Sequence, residues 1–218
     1  MKNTARLLVC RELLKITPLL VAAALLNVSS AIFADDVLRV EEDWELVLGQ
    51  PDANSVGPQV VTTMSPSGNI NGTFFTMEIN HRSAPTWTPG GISIHRWYAD
   101  WRMASYDRAD RSVMTTNNET VTWTQALYFD NGDLTYKVFN GTSDTWGSFG
   151  YSGLVKLSCN YSPNNLNSYT TDVSVGQSGA AFAGNRVRSL KIKTIRKTLS
   201  NGQVQTDNTG WIVQQLVD

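Results

Sequence analysis

The segment ETVTWTQALYFDNGDLTYKVFN, residues 119–140, predicts the fold most directly. Apolar residues alternate on both sides of Asn131-Gly132, a preferred pair for a two-residue type I′ turn because both turn positions need positive φ. Pairing Asp130 with Asp133 places the apolar residues of both strands on one face, whereas a slip of one residue would separate them. The predicted pairs are Phe129 with Leu134, Leu127 with Tyr136, and Gln125 with Val138.

The same period of two continues along the chain after Asp35, with frequent Val, Thr, Trp, Tyr and Phe. Further strands are predicted near Val40–Leu48, Phe75–Ile79, Val155–Cys159, Tyr169–Val175 and Trp211–Val217. Roughly ten to thirteen short strands without a helical crossover predict an all-β fold, an antiparallel β-sandwich of the jelly-roll type.

Two segments near the end of the chain add detail to this prediction. Val187–Leu199 fits neither period cleanly, so we expect a bulged strand, with a short amphipathic helix as the alternative. It leads into Asn201-Gly202, which predicts a second hairpin. The expected pairs there are Leu199 with Val204 and Arg196 with Asp207.

The first 34 residues have the pattern of a secretory signal peptide. An apolar run at Leu19–Leu26 follows the basic residues Lys2, Arg6, Arg11 and Lys15, and eight apolar residues are too few for a bilayer, which needs roughly 20. We expect cleavage after Ala34, or alternatively after Ala31, and a single domain over residues 35–218. The expected location is secreted, periplasmic or at the surface of a bacterial cell.

Composition limits the functions open to the mature chain. The signal removes four basic residues and Glu12 from totals of 18 and 19, so 14 basic and 18 acidic side chains remain, a net charge near −4. Nucleic acid is therefore not an expected partner. Cys159 is the only remaining cysteine, which excludes an intramolecular disulfide. The tail WIVQQLVD resembles no anchor, so we expect a soluble protein whose oligomeric state stays open.

The stretch EEDWE, residues 41–45, has the spacing E-x-D-x-E, which places Glu41, Asp43 and Glu45 on one face of a strand. A retaining glycosidase needs two carboxyl groups about 5 Å apart. The motif resembles the active-site strand of laminarinase-like, concanavalin-type glycoside hydrolases, which would make these three residues catalytic. Val40 and Trp44 point to the opposite face, toward the core. A solvated acidic strand is the alternative that we favour, and with it a binding protein over an enzyme.

Ile92–Arg108 is rich in aromatic and basic side chains. If Ile92 and Ile94 face the core, His95 and Trp97 face away and could form a platform for a sugar ring, with charged neighbours bonding its hydroxyls. The alternative is that the tryptophans fill the core. The candidate ligand-binding residues are His95, Arg96, Trp97, Trp101 and Arg102.

Other motifs predict little chemistry. His81 and His95 are the only histidines, and no zinc-binding spacing is present, so we expect neither a metal nor a cofactor. Asp130 and Asp133 could bind calcium, although a plain type I′ turn explains both residues. The basic segment Arg186–Lys197 could bind an anionic polysaccharide, or its lysines could protect a strand edge.

Three stretches carry a resemblance to known proteins. They are EEDWELVLGQPDANSVGPQVVTTMSP near the mature start, NGTSDTWGSFG at residues 140–150 and TDVSVGQSGAAFAGNRV at residues 171–187. The mature chain resembles uncharacterised exported proteins of planctomycete-like bacteria and, more distantly, sandwiches of the concanavalin and laminin-G class. The architecture cannot transfer a function. We expect a lectin-like, carbohydrate-binding protein; the alternatives are a divergent glycoside hydrolase and a structural or adhesive component of the cell envelope.

Overall fold

The computed structural model describes residues 35–49, 60–69, 71–79, 91–99, 102–109, 112, 114, 116–150, 155–173 and 187–215. These residues form strands, and no helix long and apolar enough to cross a membrane lies among them. The predicted signal peptide, His81, Trp101 and Arg186 lie outside the described residues. The strands are β1 (Val37–Leu48), β2 (Val60–Ser65), β3 (Phe74–Ile79), β4 (Ile92–Tyr98), β5 (Arg102–Ala109), β6 (Thr120–Asp130), β7 (Asp133–Ser143), β8 (Gly147–Phe149), β9 (Lys156–Asn160), β10 (Thr170–Val173), β11 (Val187–Leu199), β12 (Val204–Asp207) and β13 (Trp211–Gln215).

The strands form two antiparallel sheets. The wide sheet has eight strands in the order β12-β11-β1-β6-β7-β8, with β13 also paired to β11 and β9 also paired to β7. The narrow sheet has five strands in the order β10-β2-β3-β4-β5. Apolar side chains from both sheets form one buried cluster, in which the rings of Phe75 and Tyr136 lie 5.3 Å apart. The predicted antiparallel β-sandwich is confirmed.

The hairpin of β6 and β7 has the predicted register. Phe129 pairs with Leu134, Leu127 with Tyr136, and Gln125 with Val138. Asn131 and Gly132 have φ values of 53° and 89°, as a type I′ turn requires. The turn and the apolar face therefore specify the same register. Both strands of this hairpin lie inside the wide sheet.

Strand β11 is bulged, as the sequence predicts. Its pairing with β1 skips Arg188 and Lys193, so two extra residues shift the alternation. These shifts explain why the buried positions of β11 fit no single period. The buried apolar residues are Val187, Leu190, Ile192, Ile195 and Leu199.

The second hairpin forms, but its predicted register is wrong by one residue. Thr198, not Leu199, pairs with Val204, and Ile195, not Arg196, pairs with Asp207. The loop has three residues: the Gly202 amide donates to the Leu199 carbonyl, and the Leu199 amide donates to the Gln203 carbonyl. Gly202 alone has positive φ there, which is the geometry of a type I turn followed by a bulge.

Gly141 of β7 lies against the ring of Phe149 in β8, and a Cβ at position 141 would overlap that ring. Phe149 belongs to the buried cluster and packs edge-on against Trp146 at 5.5 Å. We expect Gly141→Ala to lower the free energy of unfolding by about 1–3 kcal/mol, because the ring must move within a packed core. Urea denaturation measures this loss. The exposed neighbour Thr142 supplies the control, Thr142→Ala, and an equal loss in both variants would contradict the packing argument.

Candidate functional site

An open groove runs along one edge of the sandwich, where the wide sheet extends past the narrow one. Its volume is about 510 Å³. We call it the edge groove. Its lining residues are Tyr169 next to β10, Thr170 and Thr171 of β10, Ile195 and Lys197 of β11, Gln205, Thr206 and Asp207 of β12, and Trp211 of β13.

Among the described strands, the narrow sheet ends at β10 while the wide sheet continues to β12, and the groove lies open between them. Asp207 pairs with Ile195, and Trp211 pairs with Ile192, so both continue the core-facing side of β11. All four residues of β12 are nevertheless exposed, and Trp211 is 48% exposed. Positions that would be core under a wider second sheet are therefore available to a ligand.

The groove combines two aromatic rings with charged and polar side chains. Tyr169 and Trp211 supply the rings, and the Lys197 Nζ lies 5.8 Å from the centroid of Tyr169. Two hydrogen bonds from Thr209, one of them from its backbone amide at 2.9 Å, hold the pKa of Asp207 below its usual value. The edge groove thus presents a carboxylate and an indole in one cavity, which suits a polar ligand with an apolar face.

A buried polar cluster lies one strand further in, at Glu42 of β1. Glu42 shares the core-facing side with Val40 and Trp44, and it is fully buried. Its Oε2 accepts hydrogen bonds from Trp44 Nε1 at 2.8 Å and from Gln125 Nε2 at 2.5 Å. We name Glu42, Trp44, Thr62, Gln125 and Tyr136 the buried polar cluster.

Gln125 holds this cluster together across both sheets. Its Oε1 accepts from the Thr62 hydroxyl of the narrow sheet at 2.8 Å and from the Tyr136 hydroxyl at 3.1 Å. Its amide nitrogen donates to Glu42 in the opposite direction. One carboxamide therefore satisfies three polar side chains that are all removed from solvent.

Burial raises the pKa of Glu42 to about 7, because the ionised carboxylate loses its hydration. Hydrogen bonds from Gln125 and Trp44, and a weaker interaction with the Thr171 hydroxyl, partly offset this effect. Burial and the nearby Glu42 charge raise the pKa of Tyr136, so its phenol stays neutral. Glu42 is therefore a carboxyl group that exchanges its proton near neutral pH.

Glu42 is the functional candidate that the sequence prediction missed. The E-x-D-x-E motif directs attention to Glu41, Asp43 and Glu45 and away from the residue between the first two. The alternation of side chains places Glu42 on the same side as Val40 and Trp44. An acidic residue on the core-facing side of a strand is the sequence feature that indicates a buried carboxyl group. Gln125, its partner 83 positions away, could not be inferred from spacing.

The three predicted catalytic carboxylates lie on the outer side of β1, as the alternation indicates. Arg196 of β11 binds two of them: its Nε lies 2.9 Å from Glu41, and its Nη1 lies 2.5 Å from Asp43. Lys193 lies 3.2 Å from Glu45. The acidic motif and the basic segment are therefore cross-strand partners. Lys191 and Lys197 lie where β11 is paired on both sides, so these two lysines do not protect a strand edge.

These ion pairs lower the pKa values of two carboxyl groups on the outer side of β1. Although desolvation raises the pKa of Glu41 and Asp43, hydrogen bonds and charge interactions with Arg196 outweigh it, so both pKa values are lowered. A glycosidase acid needs a raised pKa instead. Catalysis by Glu41, Asp43 and Glu45 stays a prediction, and the contacts favour a structural role.

The predicted aromatic platform is divided between two sides of β4. His95 and Trp97 lie on the outer side of the narrow sheet, while Ile92 and Ile94 are in the core as expected. His95 is only 3% exposed, with its ring 6.0 Å from that of Tyr106, and Trp97 donates to Thr76 at 2.9 Å.

Two other predicted platform residues, Arg96 and Arg102, lie away from the side of β4 that carries His95 and Trp97. Arg96 points to the other side of β4, with its guanidinium 5.8 Å from the Tyr98 ring, and Arg102 is exposed at the start of β5. Trp101 lies outside the described residues. A platform at these residues stays a prediction.

The candidate calcium ligands Asp130 and Asp133 flank the Asn131-Gly132 turn. Asp130 has two donors, Lys156 Nζ at 3.3 Å and Asn131 Nδ2 at 3.2 Å. In the described part of the chain, no group of three or more His, Cys, Asp and Glu side chains is arranged to hold a metal. Calcium binding at Asp130 and Asp133 stays a prediction.

Comparison with known proteins adds no function. No family model and no curated protein matches the sequence. Among solved structures, the chain is similar to SCP-B, a member of the Eqolisin family of peptidases in a complex with the tripeptide Ala-Ile-His. The two share 10% identity over 85% of this chain and 84% of that one, with a TM-score of 0.31. At those values the similarity carries no functional argument.

Proposed function

We propose that the protein is a lectin-like binding protein that holds a carbohydrate in the edge groove. The observation that supports this proposal is the open groove of about 510 Å³, in which Trp211 and Tyr169 lie near Lys197 and Asp207. Aromatic faces pack on the apolar face of a sugar ring, while charged and amide groups bond its hydroxyls. In an exported protein, such a groove would meet polysaccharides outside the cytoplasm.

Replacing Trp211 by alanine tests this proposal. We expect Trp211→Ala to weaken binding of the glycans that the wild type retains by about tenfold, because it removes the larger aromatic surface of the groove. Stability should change little, since the side chain is half exposed. A glycan array followed by titration calorimetry measures the effect.

Tyr106, an exposed aromatic residue of the narrow sheet, supplies the matched control. Tyr106→Ala should bind as the wild type does. If Trp97→Ala abolishes binding and Trp211→Ala does not, the ligand occupies the outer side of the narrow sheet instead. A wild type that retains no glycan would contradict the proposal and favour a structural role in the cell envelope.

A further inference from the structure

The carboxyl group of Glu42 lies one strand away from the edge groove. Glu42 pairs with Ile195 of β11, and Ile195 lines the groove. Thr171 lines it from the narrow sheet, and its hydroxyl also interacts with the Glu42 carboxyl. Thr171 therefore connects a buried acid to the surface that a ligand would contact.

The donors around Glu42 determine which oxygen carries the proton. Trp44 and Gln125 both donate to Oε2, which leaves Oε1 as the site for the acidic hydrogen. Oε1 is buried and has no partner at standard hydrogen-bond geometry within the described residues. The Thr171 side chain interacts with this carboxyl group. Because Oε2 already has two donors, we infer that a neutral Glu42 donates from Oε1 to the Thr171 hydroxyl and that an ionised Glu42 accepts from it.

We propose that Glu42 is a specificity-determining residue of the edge groove, because loss of its proton reverses the hydrogen-bond direction of Thr171. This inference rests on the proposed function, since it concerns the ligand of the same groove. With Glu42 neutral, the Thr171 hydrogen is free to bind an acceptor such as the carbonyl oxygen of an acetamido sugar. With Glu42 ionised, that hydrogen turns to Oε1, and the groove offers only an acceptor there.

The present partner of the Thr171 hydrogen is weak enough to be exchanged. The hydroxyl donates to the Thr63 carbonyl at 3.5 Å, the outer limit of a hydrogen bond. An ionised carboxylate is a stronger acceptor than a neutral carbonyl. Ionisation of Glu42 should therefore redirect the hydroxyl without movement of the backbone.

Among the described groups around Glu42, the Glu42 carboxyl is the group whose charge changes near neutral pH. Gln125 and Ile195 flank it within the wide sheet, Thr62 and Thr171 face it from the narrow sheet, and none of them titrates. Tyr136 keeps its proton because its pKa is raised. The charged side chains of the groove are Lys197 and Asp207, and the lowered pKa of Asp207 keeps it ionised.

Methyl NMR of the threonines in the ligand-free full chain tests the coupling directly. We expect the Thr171 methyl resonance to shift between pH 5 and 8.5 with a midpoint near 7, the pKa of Glu42, and to stay constant in Glu42→Gln. Thr135, whose hydroxyl bonds Ser158, is the internal control and should not follow this titration. A constant Thr171 resonance in the wild type, or an unchanged shift in Glu42→Gln, would overturn the proposal.

Binding of an N-acetylglucosamine oligomer tests the consequence for the ligand. Ionisation of Glu42 removes one hydrogen bond to the ligand. We therefore expect the affinity of the wild type to be about 3- to 10-fold weaker at pH 8 than at pH 5.5. Thr171→Val keeps the shape of the side chain without the hydroxyl, so its affinity should be independent of pH. Equal pH dependence in Thr171→Val and the wild type would refute the role of Thr171. Absence of all glycan binding alongside a normal Thr171 titration would contradict the proposed function alone.

Discussion

Replacing Gln125 by alanine is expected to lower the free energy of unfolding by about 3–5 kcal/mol. The change removes the acceptor of the Thr62 and Tyr136 hydroxyls and one donor to Glu42. Each buried polar group without a partner costs about 1–3 kcal/mol. A cavity between the sheets adds to that cost.

Denaturant unfolding measures this loss at constant pH. Gln205 of the exposed strand β12 is the matched control, and Gln205→Ala should change stability by less than about 0.5 kcal/mol. Combining Gln125→Ala with Thr62→Val should recover part of the loss, because the second change removes an unsatisfied hydroxyl. A loss below about 1 kcal/mol for Gln125→Ala would show that water or a neighbouring side chain replaces the amide.

The second large effect is a loss of stability as the pH rises. The folded protein keeps the Glu42 proton up to about pH 7, the pKa of this buried acid, whereas the unfolded chain releases it near 4.5, the ordinary pKa of a glutamate side chain. Since the unfolded state binds fewer protons over this interval, the free energy of unfolding falls as the pH rises from 4.5 to 7. The shift corresponds to a change on the order of 3 kcal/mol.

Glu42→Gln should remove this slope, because the amide has the shape of the neutral acid and does not ionise. Thermal and urea unfolding of both proteins between pH 4 and 8 would measure it. Glu41→Gln is the matched control, since the pKa of Glu41 is lowered, not raised. It should leave the slope above pH 4.5 intact and reduce stability on the alkaline side of its own titration. Parallel curves for the wild type and Glu42→Gln would contradict the raised pKa.

The strand register is predicted correctly where the turn sequence and the alternation of apolar residues agree. At residues 119–140, the turn pair and the apolar alternation specify one register, and the structure has that register. At Asn201-Gly202 only the turn pair indicates the register, because β12 has no buried residues. The sequence predicts a two-residue loop there, whereas the structure has a loop of three residues. When neither strand of a hairpin has alternating buried residues, only the turn determines the register. The pair Asn-Gly is compatible with more than one turn type, so it does not specify the register by itself.

The candidate site was less predictable because distant strands build it. The buried polar cluster joins Glu42 of β1, Thr62 of β2 and Gln125 of β6, which only the sheet order brings together. Trp211 lies in a segment predicted as a strand, but its exposure depends on how far the narrow sheet extends. The sequence also presents the acidic motif and the basic segment as separate features, although Arg196 joins them in one cross-strand group.

The overhang of the wide sheet separates the proposed binding surface from the residues that stabilise the fold. Every residue of β12 is exposed, so substitutions on that rim should each alter stability by no more than about 0.5 kcal/mol. The rim nevertheless forms one wall of the edge groove. A lineage carrying this scaffold could therefore exchange one ligand for another by point mutations in four consecutive residues, without any compensating change in the interior. The same independence makes β12 the natural segment to randomise in a library that seeks new binding specificities.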